Sequence, residues 1–320
     1  MNEAPALIAD IGGTHIRFAL IRPGADPADA VTLRCGDYSG PAEAARGYLA
    51  AVRPGETVTR AAFAVASPIL GDEITLTNSA WRFSIAGLRD ELGLERLDVV
   101  NDFTAVALSV PRLAATDLIK LGGDAPMADR PIGVLGPGTG LGVSALVPVA
   151  GGGWQPLTTE GGHVTMAATD DDEAAVLDWL RRRHGHVSAE RVVSGQGLVN
   201  LYEALNGVSG RKGIYNSPDM ITRRAFEDGC PLCRRAVDMF FAMTGAMAGN
   251  LALTLGALGG IYVAGGILPR MVDAFVASAF RERFEDKGRF RSYLAPIPTW
   301  LVIHPHPAFA GLAGLATGKE

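Results

Sequence analysis

Three times in this chain an apolar, strand-like run stops on glycines. Asp10-Ile11-Gly12-Gly13-Thr14 follows Leu7-Ile8-Ala9, Gly136-Pro137-Gly138-Thr139-Gly140 follows Ile132 to Leu135, and Gly265-Gly266 follows Ile261 to Ala264. Glycine at the end of a strand brings bare backbone close to a neighbour or a ligand, because no Cβ stands in the way. In α/β proteins ligands bind beyond the carboxyl ends of strands, so one fold is expected to gather these segments around a cleft. The first two share more than glycine: Gly13-Thr14-x-Ile16-x-Phe18 and Gly138-Thr139-x-Leu141-x-Val143 both continue with apolar residues at period two. Each reads as strand, tight turn and returning strand. Their separation by about half the chain suggests two lobes of related topology, with two unrelated hairpins as the alternative.

Helices and strands alternate elsewhere. Ala61 to Ala66 and Asp98 to Val100 read as short strands, Ile85 to Leu94 as a helix, and Thr104 to Ser109 as a helix stopped before Pro111. Further on, Asp172 to His184 is a charged amphipathic helix, Ser194 is a candidate N-cap for Gly197 to Leu205, and Arg234 to Leu255 is a long apolar helix. The polar, glycine-bearing stretch Asn206 to Pro218 reads as a loop.

Composition narrows the function classes. A net charge of -5 and a pI near 5.7 give no basic excess to displace counterions, so nucleic acid is not an expected partner. Three cysteines, Cys35, Cys230 and Cys233, cannot frame 320 residues with disulfides, and the odd count points to a reducing, cytoplasmic setting. Met1 to Pro5 has no basic n-region and Asp10 interrupts the first apolar run, so no export signal is expected. The apolar stretch Met239 to Ile267 carries polar residues and glycines, and reads as a buried helix and strand rather than a membrane span. Cys230-Pro231-Leu232-Cys233 has redox-motif spacing but no second pair for zinc and no thioredoxin-like strand before it, and reads as structural or incidental thiols.

Several residues have chemistry to offer. The two glycine turns can present N–H groups to phosphate, Thr14 and Thr139 add hydroxyls, and Asp10 puts a carboxylate where Mg²⁺ could be held directly or through water. Neither turn is a Walker A loop, since no Gly-Lys-Ser/Thr follows. Asn101 and Asp102 stand between a strand and an apolar helix. They either cap the helix, or Asp102 takes the proton of an attacking hydroxyl while Asn101 fixes its neighbour. Glu160-Gly161-Gly162-His163 and Glu190 supply planar polar groups suited to paired hydroxyls, although Glu190 also reads as a surface ion-pair partner. The Glu-x-x-His spacing is a weak metal signal because Gly161-Gly162 disfavours a helix there.

Taken in order, these motifs resemble the bacterial glucokinases of the hexokinase, actin and Hsp70-like ATPase fold. The resemblance runs from Ala9-Asp10-Ile11-Gly12-Gly13-Thr14 to the C-terminal helix. Between them it passes through Leu76-Thr77-Asn78, Asn101-Asp102-Phe103-Thr104-Ala105, Gly136 to Gly142, Glu160-Gly161-Gly162-His163-Val164, His186 to Arg191, Gly249-Asn250-Leu251-Ala252-Leu253 and Phe284 to Arg289. It implies an α/β, two-lobed actin-like ATPase (ribonuclease H-like) fold with a sugar/ATP cleft between the lobes. The implied domains are a small one of residues 1–110 plus about 303–320 and a large one of residues 111–302. The implied activity is phosphorylation of D-glucose by ATP with Mg²⁺. Asp102 would be the base, Asn78, Asn101, Asp102, Glu160, His163 and Glu190 would hold the sugar, and residues 9–14, 138–140 and 265–266 would hold the nucleotide. A homodimer is implied as well, while structural zinc and a DNA-binding extension are not expected. A kinase for another hexose would keep the same base, and a non-catalytic sugar-sensing ATP-binding protein would use Asp102 only as a cap.

Overall fold

The computed structural model describes residues 4–76 and 81–318. In chain order its elements are β1 (Ala6–Ile11), β2 (His15–Ile21), β3 (Ala28–Arg34), α1 (Pro41–Val52), β4 (Arg60–Val65), β5 (Glu73–Thr75), β6 (Arg82–Ser84), α2 (Ile85–Glu91), β7 (Arg96–Asn101) and α3 (Asp102–Ser109). There follow β8 (Leu118–Gly122), β9 (Ile132–Pro137), β10 (Leu141–Pro148), β11 (Trp154–Thr158), α4 (Asp171–His184), α5 (Gly195–Val208), α6 (Pro218–Phe226) and α7 (Pro231–Leu255). The chain ends with β12 (Ile261–Val263), α8 (Val272–Val276), α9 (Phe280–Glu285), α10 (Arg291–Leu294), β13 (Thr299–Val302) and α11 (Pro307–Thr317). One sheet has the order β3-β2-β1-β4-β7, a second β11-β10-β9-β12-β13-β8, and β5 and β6 pair with each other. The chain divides into a first unit, Met1–Asp117 with Ala145–Thr158 and His304–Glu320, and a second, Leu118–Ser144 with Thr159–Ile303.

In the first unit β1 is the middle strand, antiparallel to β2 and parallel to β4, which in turn is parallel to β7. A strand covered on both faces reads as a continuous apolar run, and every residue of β1 is buried except Asp10. The edge strand β3 instead alternates exposed and half-buried residues. Register decides what the parallel strands deliver: Ile11 lies beside Val65, and Val65 beside Asn101. The first glycine turn and the Asn101–Asp102 pair therefore leave the same end of the sheet. Behind it, α11 packs on β1, β4 and α3. Its small residues allow a close approach, for a Cβ at Gly311 would stand 1.9 Å from the Ala105 carbonyl oxygen.

The second unit has β12 parallel to both β9 and β13, and β13 antiparallel to β8. Its core forms around α7, whose Phe240 and Phe241 continue through Phe275 to Phe280 at centroid spacings of 6.1, 5.2 and 4.8 Å. This helix is long and apolar enough to span a membrane by composition, but 83% of its most apolar window is buried inside the protein. That is the pattern of a core helix.

The expected elements are present with shifted ends. The helix from Ile85 stops at Glu91, and Gly93 turns the chain at φ +66°. α3 begins at Asp102 rather than Thr104 because Asn101 caps it, and Ser194 caps α5 through the N–H of Gly197 at 2.9 Å. The loop expected at 206–218 shrinks to 209–217, since α5 runs on to Val208 and Pro218 opens α6. The Gly311→Ala variant should force α11 away from α3 and lower stability by about 1–3 kcal/mol, the usual cost of overpacking. An unchanged urea midpoint would refute that close approach.

Candidate active site

In the first unit the turn between β1 and β2 is closed by the Gly12 N–H, which donates to the His15 carbonyl at 2.9 Å. Cys35 braces it from behind: its N–H donates to the Thr14 carbonyl at 2.9 Å and its buried thiol approaches the Gly12 oxygen at 3.5 Å. Thr14 is exposed at the tip. Asp10 Oδ2 accepts from Arg17 Nη1 at 3.1 Å, an interaction the hairpin register imposes by setting the two residues opposite each other. A quarter of the Asp10 side chain remains accessible, yet burial outweighs the pull of Arg17 and His306 and raises its pKa. His306, just before α11, is held low by burial and by Arg17 and His304.

At the same sheet end Asn101 is the N-cap of α3, its Oδ1 accepting from Phe103 N at 2.9 Å and Thr104 N at 3.3 Å. Its Nδ2 lies 3.4 Å from the Ser67 carbonyl. Asp102 is the first helical residue, and its Oδ1 accepts from Phe103 N at 2.8 Å. Both remain half-exposed. Capping is thus a real task of Asn101, and the carboxylate of Asp102 is oriented by the same helix end.

The second unit assembles the other candidates. Gly138 N donates to Gly140 O at 2.8 Å across the second glycine turn, and Thr139 is exposed at its tip. Residues 161–163 form a single 3₁₀ turn, not a helix, with the His163 N–H donating to the Glu160 carbonyl at 3.0 Å and both side chains exposed. Glu190 joins the two turns. Its N–H donates to the Gly162 carbonyl at 2.8 Å, while its Oε2 accepts the Leu141 N–H at 2.9 Å. A Cβ at Gly140 would lie 2.4 Å from that oxygen, and one at Gly162 would lie 2.1 Å from the Leu141 carbonyl oxygen. The surface ion pair read for Glu190 is therefore not its role among the described residues; its carboxylate faces inward, onto the turn.

Gly265, at φ +90°, presses on the end of β9, where a Cβ would stand 2.4 Å from the Pro137 oxygen. Beyond it a groove of about 710 Å³ is lined by Pro218, Thr222 and Phe226 on one side and Ile267, Arg270 and Val272 on the other. The N-terminus of α5 also reaches the second turn, with Gly195 N donating to Gly138 O at 2.8 Å.

Sequence reasoning missed Arg17, His306 and the contact of the α5 terminus with the second turn, although Ser194 marked where that helix starts. Arg17 left a signal, because a hairpin turning at Gly12-Gly13-Thr14 sets it across from Asp10. Asn78 lies outside the described residues. No cluster of three or more metal-ligating side chains occurs among the described residues. A lone carboxylate such as Asp10 suits an ion that takes its remaining ligands from phosphate and water, as Mg²⁺ does with nucleotides.

The family model described as Glucokinase matches residues 7–319. A glucokinase from Paramagnetospirillum magneticum is 61% identical over 98% of both chains. The crystal structure of a glucokinase from an Antarctic psychrotroph superposes with a TM-score of 0.88 at 36% identity, covering 98% of each chain. A Streptomyces griseus ROK-family glucokinase, solved with glucose and AMPPNP, shares the fold at a TM-score of 0.64 and 18% identity, covering 98% of this chain and 99% of that one.

Because its folded-state pKa is raised above 3.8, ionised Asp10 weakens the fold, fully so at neutral pH and not at all once acid has protonated it. Asp10→Asn should therefore leave the urea midpoint at pH 7 unchanged or higher, with any gain shrinking as pH falls towards 4. A midpoint clearly lower at pH 7 would show that the charge stabilises the fold instead.

Proposed function

Since this chain belongs to the glucokinase family, we propose that it transfers the γ-phosphoryl group of ATP to the 6-hydroxyl of D-glucose with Asp102 as the general base. The ATP-dependent conversion of glucose to glucose 6-phosphate is the reaction of the family, and the chain is an enzyme of it. The observation that carries the assignment of the base is the position of Asp102: first residue of α3, half-exposed, at the sheet end from which the first glycine turn also leaves.

In this reading Asp102 withdraws the hydroxyl proton as the oxygen attacks phosphorus, and Asn101 donates through Nδ2 to a neighbouring hydroxyl. Exposed Glu160 and His163 take further hydroxyls, as does Glu190, whose second task is to hold the Leu141 N–H. Asn78 belongs to the sugar set on family resemblance alone. Residues 9–14 and 138–140 face the phosphates with N–H groups and threonine hydroxyls. The groove beside Gly265 and Gly266 suits adenosine, having the size and mixed lining of a nucleoside pocket. Bound with ATP near Asp10, Mg²⁺ would neutralise charge on the β- and γ-phosphates. Three free thiols support a reducing, cytoplasmic setting, and family resemblance supports a homodimer, with neither nucleic acid nor membrane as partner.

Coupled ADP release with Mg²⁺-ATP, comparing glucose with mannose, fructose, N-acetylglucosamine and no sugar, tests the reaction. Stimulation by glucose is expected, and its absence would overturn the proposal. Asp102→Asn should lower kcat by roughly two orders of magnitude or more while glucose still binds, in line with general-base contributions; near-normal turnover would remove Asp102 from that role. Gly140→Ala should push Glu190 off the Leu141 N–H and raise the KM for both glucose and ATP. A change confined to one substrate would show that Glu190 does not serve both turns.

A further inference from the structure

The mechanism above leaves Cys230 and Cys233 unused, and the fold places them unlike the third cysteine. Cys230 is the N-cap of α7, with Pro231 opening the helix, and it is half-exposed; Cys233 is wholly buried at the third helical position, in the core of the second unit. Cap and third position face each other across the first turn of a helix, the arrangement that lets a capping side chain reach back. Sulfurs at these two positions need only a modest approach to bond. Side chains three residues apart on a helix are separated by about 5–6 Å at Cβ, against about 3.5–4.5 Å in a disulfide, and Cys230 stands outside the helix with ψ 113°, free of its geometry.

We propose that Cys230 and Cys233 form a thiol–disulfide exchange site for low-molecular-weight disulfides. The Cys230 thiolate, the sulfur that solvent reaches, attacks one sulfur of the incoming disulfide RSSR. The S–S bond breaks, one thiolate leaves and takes a proton from water, and a mixed disulfide remains on Cys230. The Cys233 thiol then loses its proton to solvent base and its sulfur attacks that of Cys230, expelling the second thiolate. Two cysteine sulfurs are oxidised, two reagent sulfurs are reduced, and one RSSR yields two RSH.

The surroundings divide these roles. Burial raises the pKa of Cys230 most, but the first-turn N–H of Cys233, the Cys233 thiol, the Leu232 N–H and the nearby Arg224 guanidinium together lower it from the ordinary value. Arg224 is fixed beside it by the Asp228 carboxylate at 3.0 Å, and its own carbonyl accepts the Cys230 N–H at 2.9 Å. Burial, and the proton it shares with Cys230, push Cys233 up to about 12. Once a mixed disulfide replaces the Cys230 thiolate, the second of those causes disappears and Cys233 becomes the resolving thiol. Cys35 is buried, and burial raises its pKa, so it has no part in the exchange.

The full chain, reduced and then incubated with oxidised glutathione, should lose the mass of two hydrogens and carry no adduct, with Cys230 and Cys233 linked in a non-reducing digest. Cys233→Ser should accumulate a stable glutathione adduct on Cys230, and Cys230→Ser should be inert. No reaction in the wild type, a lasting adduct on it, or exchange at the wild-type rate in C230S would each overturn the proposal. Should C233S fail to fold, the wild type and C230S decide the matter.

Discussion

The second unit depends on one carboxylate. Glu190 accepts the Leu141 N–H through its side chain and donates its own N–H to Gly162, so a single residue joins the turn at 138–140 to the turn at 160–163. The arrangement depends on Gly140 and Gly162 having no side chains: a Cβ at either would stand 2.4 Å or 2.1 Å from an oxygen. The same economy brings Gly265 onto Pro137. Glycine here sets how near one backbone comes to the next, and only secondarily allows unusual dihedrals.

In the first unit the equivalent constraint is register. Parallel pairing aligns Ile11, Val65 and Asn101 across three strands, and whatever follows each of them emerges at one end of the sheet. A slip of one residue would exchange the faces of every side chain in the strand, sending Asp10 into the apolar layer that Leu7, Ala9 and Ile11 occupy. The antiparallel partner adds a second check, since it is the β1–β2 register that gives Asp10 its Arg17.

Much of this was legible before any coordinates, and the reason is local chemistry. Glycines after apolar runs mark strand ends because no other residue permits the approach, and Ser194 marks a helix start because its side chain satisfies a free N–H. What was not legible depends on pairing between distant segments. Residues 162–166 meet residues 187–190 through a few backbone bonds and one isolated bridge, too short to leave a periodic pattern. Glu190 consequently read as a surface ion-pair partner as readily as a ligand. The close seat of α11 on α3 was equally hidden, because Gly311 within an apolar helix carries no sign of which carbonyl it will meet. Helix ends moved by a few residues wherever the cap lay outside the apolar pattern, as at Asn101.

The choice posed by Asn101 and Asp102, between capping and catalysis, dissolves at the level of atoms. An amide has two ends, and Asn101 spends its oxygen on the Phe103 and Thr104 N–H groups while its nitrogen points towards Ser67. A carboxylate has two oxygens, and Asp102 ties Oδ1 to the Phe103 N–H. A carboxylate anchored in this way loses rotamer freedom before any partner arrives, so less entropy is lost when one does. Helix capping is therefore compatible with the proton transfer proposed for Asp102, because the Phe103 N–H that receives the Asn101 cap also holds the carboxylate of the first helical residue.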